Sequence, residues 1–312
     1  MKAVSKIFTA AGAVTAFAAV TGAIAYCHAI IPKRVPKTPT DEKRIARIDI
    51  RKRNNDYLYS HNPEDLELVT DGLKLRTWFV PAKEPSKRFV ICIHGYNCNG
   101  PDECSHLFGF YHDVLGYNYF LPDLRGHGRS EGNAVGFGAL DSKDIKLWID
   151  YLVNRFGEDI EIIIHGISMG AATAMLVNSQ NPPPQVKLII EDCGFTNALE
   201  EMMSTVKTAA GYGFPLVMNL GNIFCRLIAG YDLKKDADPL GKMKDAVNPV
   251  LFIHGSEDTF VPTYMCHELY DACPTPKDKL IVEGAMHAYS YYDGKEEYEK
   301  KVTEFIDKHI GL

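Results

Sequence analysis

Short apolar runs alternate with helical patterns through most of this 312-residue chain. Strand-like runs lie at Leu66–Thr70, Leu73–Val80, Phe89–His94, Tyr117–Leu121, Glu158–Ile164, Lys187–Glu191, Val250–His254 and Lys279–Val282. Between or after them, helical patterns cover Asp102–His112, Asp141–Phe156, Pro262–Ala272 and Glu296–His309. Parallel strands need crossover connections, which are usually helices. The alternation therefore predicts an α/β fold with a mostly parallel sheet flanked by helices.

One long connection interrupts this alternation, over roughly residues 194–247 between the strands at Lys187–Glu191 and Val250–His254. Its pattern is mostly helical and rich in apolar side chains, so we expect a helical cap. Two interpretations are open for these side chains. They pack the insertion onto the sheet, or they line a pocket for a lipophilic group, for which Met202, Met203 and Phe224 are the candidates.

The N-terminus differs from the rest of the chain in its composition. Residues 7–31 include no Asp, Glu, Lys or Arg and are long enough to span a bilayer as a helix. Residues 1–31 are therefore predicted to be a single-pass anchor that places the protein at the cell membrane. A cleaved secretion signal is the alternative, because Ala23-Ile24-Ala25 fits a cleavage site. Residues 32–62 are charged and include prolines, which predicts a linker before a domain at 63–312.

Charge and cysteine usage restrict the partners of the domain. The formal net charge of −6 and the absence of a basic stripe with interleaved aromatic residues argue against nucleic acid binding. Of the eight cysteines, only Cys98 and Cys104 are close enough in sequence and pattern to pair. The set therefore resembles reduced thiols more than a disulfide framework. The sequence does not fix which side of the membrane the domain faces, or its oligomeric state.

The sequence Gly166-Ile167-Ser168-Met169-Gly170 lies where a strand-like run gives way to a helical one. A serine on such a turn is forced up and out of the sheet edge on a strained backbone, and the flanking glycines let strand and helix approach closely. The Gly-x-Ser-x-Gly pattern occurs by chance too often to stand alone. Its context makes Ser168 the candidate nucleophile.

A serine nucleophile needs a base, and the base needs an acid that orients it. With this turn the chain order is serine, acid, histidine, which leaves His267, His287 and His309. His309 follows the apolar pattern of the last helix, and His267 lies off the apolar face of its helix. His287 is on a loop after a strand and is the candidate base. Candidate acids at strand ends are Asp258, which we favour, then Glu257 and Asp192.

The oxyanion of an acyl-transfer reaction requires two backbone N–H donors, for which we propose Met169 and Tyr96. One competing arrangement exists. His94, His165 and His254 each end a strand directly before a glycine and could together bind zinc. Packing and loop hydrogen bonds explain these histidines more simply, so we expect no metal.

Five motifs in order resemble the alpha/beta hydrolase superfamily over roughly residues 66–312. They are His94-Gly95, "PDLRGHGRSEG" from Pro122 to Gly132, the Ser168 turn, "GSEDTFVP" and "GAMHA". The chain is most similar to membrane-anchored bacterial hydrolases related to serine aminopeptidases and monoacylglycerol lipases. The resemblance implies the alpha/beta hydrolase fold, a Ser168–Asp258–His287 triad, an oxyanion hole at Tyr96 and Met169, a cap over the site, and no cofactor.

The predicted function is hydrolysis of a carboxylic ester, or a related acyl bond, through an acyl-enzyme intermediate. The expected substrate is a small, lipophilic acyl compound. An aminopeptidase or thioesterase of the same fold is the alternative, since one fold hosts many activities. A non-catalytic ligand-binding protein of this fold is a further alternative, although all three triad residue types are present.

Overall fold

An eight-stranded sheet forms the centre of the protein in a computed structural model, which describes residues 20–27, 29–32 and 42–311. The strands are β1 (Glu64–Thr70), β2 (Leu73–Val80), β3 (Arg88–Ile93), β4 (Asn118–Asp123), β5 (Glu161–Ile167), β6 (Val186–Asp192), β7 (Val250–Gly255) and β8 (Lys277–Val282). Their spatial order is β1-β2-β4-β3-β5-β6-β7-β8. Only the β1–β2 and β2–β4 pairs are antiparallel, so the predicted mostly parallel sheet is confirmed.

Helices cover both faces of this sheet. They are α1 (Glu42–Tyr59), α2 (Gly100–Cys104), α3 (Asp141–Phe156), α4 (Met169–Asn178), α5 (Ala198–Ala210), α6 (Pro215–Phe224), α7 (Pro239–Lys242), α8 (Tyr264–Ala272), α9 (Ser290–Asp293) and α10 (Lys295–Ile310). Trp148 of α3 and Leu269 of α8 belong to one apolar core, and Phe305 of α10 belongs to the other. The central strands are buried on both sides, which explains their continuous apolar runs.

The predicted helix at Asp102–His112 is broken into three pieces. Helix α2 is followed by a 3₁₀ turn at Ser105–Leu107 and a π-helical segment at Gly109–Val114. Gly109 is a weak helix former and stands where the winding changes. Phe108 and Tyr111 on either side of it are fully buried. Packing of these rings sets the local winding in place of a regular helix.

The stretch predicted as a linker, residues 32–62, contains the 18-residue helix α1. Some polar side chains of α1 bind the rest of the protein, whereas Asp49, Lys52, Arg53 and Asp56 are exposed. Arg47 forms an ion pair with Glu103 at 3.0 Å, and the Asn55 amide donates to Asp102 at 2.7 Å. Leu58 is fully buried. Part of the predicted linker is therefore a helix attached to the domain, because a charged composition does not distinguish a solvated segment from a helix held through polar contacts.

The insertion between β6 and β7 is helical, as predicted. It consists of α5, α6, a π-helical segment at Cys225–Ala229, α7 and a 3₁₀ turn at Met243–Asp245. Residues 20–27 are also helical and lie against α6, because a Cβ atom on Gly22 would approach the Phe224 ring to 2.9 Å. Tyr26 and Ile30 are buried, and the Val135 N–H donates to the Ile30 carbonyl at 2.8 Å.

The predicted membrane span at residues 7–31 is only partly within the described residues, which exclude 1–19 and 28. Among the residues that the structure describes, no helix is both long enough and apolar enough to cross a bilayer.

Candidate active site

Ser168 lies on the turn between β5 and α4, with a φ of 57° and a ψ of −117°. A residue with a side chain adopts this conformation only at a cost of about 1–3 kcal/mol. The flanking glycines make the turn possible: a Cβ atom on Gly166 would overlap the Gly170 carbonyl, and one on Gly170 would overlap the Ile93 carbonyl. The Ser168 N–H donates to the Asp192 carbonyl at 2.8 Å and so ties the turn to β6.

The structure brings the three predicted triad residues together. His287 follows β8, and its Nε2 lies 2.9 Å from Ser168 Oγ. Its Nδ1 lies 2.7 Å from Oδ2 of Asp258, which follows β7. Of the other acids considered, Glu257 is exposed, and the Asp192 carboxylate accepts a hydrogen bond from Tyr298 at 2.9 Å. The histidine–acid contact is therefore made by Asp258.

The Asp258 carboxylate is held by three hydrogen bonds and by an ion-pair contact with His254. Its Oδ1 accepts hydrogen bonds from the N–H groups of Phe260 and Val261 at 2.9 and 2.8 Å. Its Oδ2 lies near both His287 and His254. Burial alone would raise the pKa of this carboxyl, but the hydrogen bonds from His254 and His287 outweigh burial and lower it to about 2. Asp258 is therefore ionised throughout the neutral pH range.

His254 is a contact of the site for which the sequence indicated only packing and loop hydrogen bonds, with zinc binding as the competing arrangement. Its Nε2 lies 2.8 Å from the Val261 carbonyl and 3.3 Å from Asp258 Oδ2. Burial opposes protonation of this imidazole, but its contact with Asp258 and the nearby Glu191 carboxylate raise its pKa above the usual value. The sequence signal that could have indicated this contact was spacing, since His254 is in the strand that precedes Asp258 and lies four residues before it.

The other two strand-end histidines are engaged elsewhere. His94 Nδ1 lies 2.7 Å from the Gly95 carbonyl, and its Nε2 accepts the Leu124 N–H at 2.9 Å. His165 lies between the hydroxyl groups of Tyr111 and Tyr298, at 2.8 and 2.9 Å. Within the described part of the chain, the three strand-end histidines do not bring their nitrogens together as a metal site would require.

The two predicted oxyanion donors belong to segments next to the nucleophile. Met169 is the first residue of α4, so its N–H has no partner within the helix. Tyr96 follows Gly95, whose Cβ, if present, would lie 3.2 Å from the Ser168 Cβ. Neither amide donates a hydrogen bond to another described residue. The Tyr96 ring stacks on Phe137, and its hydroxyl donates to the Ala29 carbonyl at 3.1 Å.

The three predicted pocket residues belong to the same apolar cluster as Met169 and Tyr96. Met202 is buried, whereas Met203 and Phe224 are partly buried. Phe224 packs against Gly22 of the N-terminal helical segment, so its ring is shared with that segment. All eight cysteines are free thiols, including Cys98 and Cys104.

Glu201 is a buried carboxyl in the cap that the sequence analysis missed. It accepts a hydrogen bond from the Thr205 hydroxyl at 2.6 Å. Burial raises its pKa to about 7; the nearby Asp258 adds to this rise, and His287 opposes it. No sequence signal separates Glu201 from the neighbouring Glu200, which is exposed.

The fold and site can be compared with known proteins. A sequence model of the family described as "Serine aminopeptidase, S33" matches residues 84–219. The uncharacterized protein YqkD of Bacillus subtilis is 29% identical over 97% of both chains. The alpha/beta hydrolase domain-containing protein WAV2 of Arabidopsis thaliana is 26% identical over 79% of each chain.

Among solved structures, the Pyrococcus furiosus esterase Pf2001 superposes with a TM-score of 0.68 at 22% identity. The match covers 91% of this chain and 99% of that one, so the two share a fold. The strand order, the strained serine turn after β5 and the helical insertion after β6 agree with this likeness. Together with the family match over residues 84–219, these features show that the chain has the alpha/beta hydrolase fold.

Proposed function

We propose that this protein is a serine hydrolase that cleaves carboxylic esters through an acyl-enzyme intermediate. The observation that carries this proposal is the contact chain from Ser168 Oγ to His287 Nε2, and from His287 Nδ1 to Asp258, built on a strained turn. A buried serine in this geometry has a base within reach of its proton, and the base has an ionised acid behind it.

The reaction follows from these positions. His287 Nε2 accepts the Ser168 proton while Oγ attacks the acyl carbon, and Asp258 stabilises the imidazolium. The negative charge that develops on the carbonyl oxygen is stabilised by the N–H groups of Met169 and Tyr96. His287 then protonates the departing alcohol. A water molecule repeats the sequence on the acyl-enzyme and releases the acid, which restores Ser168.

The apolar surroundings of the site favour a lipophilic acyl substrate. Met202 and Met203 belong to the cluster that includes Met169, and methionine adapts to irregular apolar ligands. The description of Pf2001 as an esterase agrees with an ester substrate. Aminopeptidase activity is the second candidate because the matched family is described by that name.

A fluorophosphonate probe tests the nucleophile. We expect covalent labelling of the wild-type chain and none of Ser168→Ala. Ser179→Ala is the matched control, because this serine lies just beyond the other end of α4. Labelling that persists in folded Ser168→Ala, or is absent from the folded wild type, would refute the proposed role.

A substrate panel then separates ester hydrolysis from the alternatives. Matched acyl esters, acyl thioesters and aminoacyl amides should be compared by kcat/KM in the wild type and Ser168→Ala. The proposal expects Ser168-dependent turnover to be fastest with the esters. Faster cleavage of aminoacyl amides would instead identify an aminopeptidase.

Attachment to the cell membrane through residues 7–31 is also a proposal, supported by the absence of charged residues in that segment. The full chain should stay in the membrane fraction after a carbonate wash. Release by the wash, or a mature N-terminus at Tyr26 by mass spectrometry, would contradict it.

A further inference from the structure

Helix α6 carries large apolar side chains on its exposed side, although Met218 and Phe224 of the same helix pack against the core. Its inward side carries Gly221, Asn222 and, in the π-helical segment that continues it, Cys225, all of which are buried. Its outward side carries Leu216, Ile223 and Leu227, at i, i+7 and i+11. Leu216 is 74% exposed and Leu227 is 77% exposed. A helix facing water normally has its polar residues outside and its apolar stripe inside.

The helical segment at residues 20–27 extends this apolar side. Gly22 lies against Leu220 and Phe224, and Gly221 lies against Ala25, so the two helices pack closely through glycines. Val20 and Ile24 are one helical turn apart and both are exposed. We define the outer apolar surface as Val20, Ile24, Leu216, Ile223, Leu227 and Ile228.

This surface holds six of the seventeen exposed large apolar side chains in the described residues. The other eleven, such as Val69 and Val114, lie elsewhere. Single exposed apolar residues are ordinary, but a contiguous group marks a contact with a membrane or another protein.

Charge and the continuity of the chain indicate whether this contact is with a membrane or with another protein. Residues 211–231 include one charged residue, Arg226, and residues 1–40 include Lys2, Lys6, Lys33, Arg34 and Lys37 but no acidic residue. The uncharged run that begins at Ile7 leads directly into Val20 on this surface. Apolar side chains flanked by basic ones suit a bilayer with anionic lipids, into which they insert to the depth of the headgroups.

We propose that the outer apolar surface docks on a lipid bilayer, so that the cap lies in the membrane interface. The segment that carries Val20 and Ile24 also contacts the active site, because the Ala29 carbonyl accepts the Tyr96 hydroxyl. Docking would therefore hold the cap and the Tyr96 side of the site close to the lipid. This inference goes beyond the proposed hydrolase activity and does not depend on it.

The test uses the full chain with Ser168→Ala, so that turnover plays no part. Tryptophan is introduced at Leu227 in one variant and at Val114, 73% exposed on another element, as the matched control. Vesicles of phosphatidylcholine and phosphatidylglycerol are added with and without brominated acyl chains. We expect the Leu227→Trp emission to shift to the blue with vesicles and to be quenched by bromine, and the Val114→Trp emission to change in neither way.

A second measurement uses bromine quenching of the Leu227→Trp variant with the same vesicles. Replacing Leu216 and Ile228 together by Glu in this variant should remove most of the quenching, whether or not the N-terminal residues hold the chain on the vesicles. Replacing Val69 and Val114 by Glu in the same variant should leave the quenching unchanged.

Two results would overturn the proposal. One is a Leu227→Trp emission that vesicles leave unaltered, even if the chain floats through residues 1–19. The other is a blue shift without vesicles that grows with protein concentration, which would assign the surface to a second copy of the chain. Both readouts are independent of hydrolysis, so failure here leaves the proposed activity standing.

Discussion

Helices α4 and α6 both pack on the protein through small residues, but with opposite results. Every residue of α4 is buried, and Gly170 and Ala171 at its start let it approach the strands closely. Helix α6 uses Gly221 in the same way, yet its Leu216 and Ile223 side chains remain outside. In α4, close packing fixes the position of Ser168. In α6, it joins the cap to the N-terminal segment and leaves an apolar side uncovered.

The difference separates two tasks. Hydrogen bonds from the backbone hold the sheet edge that carries Ser168, Asp258 and His287. At the glycines of this edge, any larger residue would overlap neighbouring backbone atoms. The cap is held mostly by apolar contacts, which tolerate substitution better than a strained turn does. The chemistry should therefore be sensitive to single changes at the sheet edge, and substrate preference should change gradually with the cap.

The largest expected effect lies at the sheet edge, in Asp258→Asn. The amide would favour the wrong imidazole tautomer of His287, a change that costs about 10⁴ in kcat in a serine protease. We expect a loss of about 10³–10⁴ in ester turnover, measured as kcat on a soluble ester. Glu257→Gln, next to it and exposed, is the control and should retain full activity. A greater loss in Glu257→Gln would show that the acid is misassigned.

A smaller effect is expected for His254→Phe, which removes one of the two imidazole contacts of the Asp258 carboxylate. Because His254 helps to lower the pKa of Asp258 to about 2, its loss should raise that pKa. The acid limb of the kcat/KM profile should then move to higher pH, while kcat/KM near neutrality, where Asp258 stays ionised, should fall less than in Asp258→Asn. A purely structural role would lower activity without moving the limb.

The same substitution has a stability signature. A carboxyl whose pKa is lower in the folded state stabilises the fold above its unfolded pKa of about 3.9. That contribution is lost as the pH falls through the folded value of about 2. In His254→Phe this contribution should be smaller and should be lost completely at a higher pH, as measured by urea unfolding between these values. His267→Phe, at an exposed histidine, is the control for both experiments.

The smallest expected effect is the change in kcat/KM for each CH₂ group added to the substrate, which we assign to contacts with the cap. Each CH₂ of a substrate buried against Met202 and Met203 should contribute about 0.8 kcal/mol, or about fourfold in kcat/KM. We expect kcat/KM to rise with acyl chain length to a plateau. The double change of Met202 and Met203 to Ala should flatten the rise and leave acetyl ester turnover nearly unchanged. Phe224→Ala should act more weakly, since its ring is shared with Gly22. No dependence on chain length in either protein would exclude a lipophilic acyl pocket.

The fold was predictable because the sequence features that indicate it are local. The strand-like runs and the Gly-Ile-Ser-Met-Gly turn can be recognised from residue type and spacing alone, and the sheet formed close to the predicted bounds. The meeting of Ser168, Asp258 and His287 followed from a known chain order. Helix α1 could not be predicted in the same way, since its contacts, such as Arg47 with Glu103, join residues far apart in sequence. The approach of His254 to Asp258 likewise depends on how the loop after β7 folds back.

The close packing of the N-terminal helical segment on the cap has a consequence for processing. Cleavage after Ala25 would remove Gly22 from the Phe224 ring and Ala25 from Gly221. It would also create a charged amino group at Tyr26, a side chain that is buried in the intact chain. A protease at this site would therefore uncover more apolar area on α6 and place a positive charge beside it. Export in a cleaved form would thus yield a protein whose cap binds apolar surfaces more readily than the cap of the uncut chain.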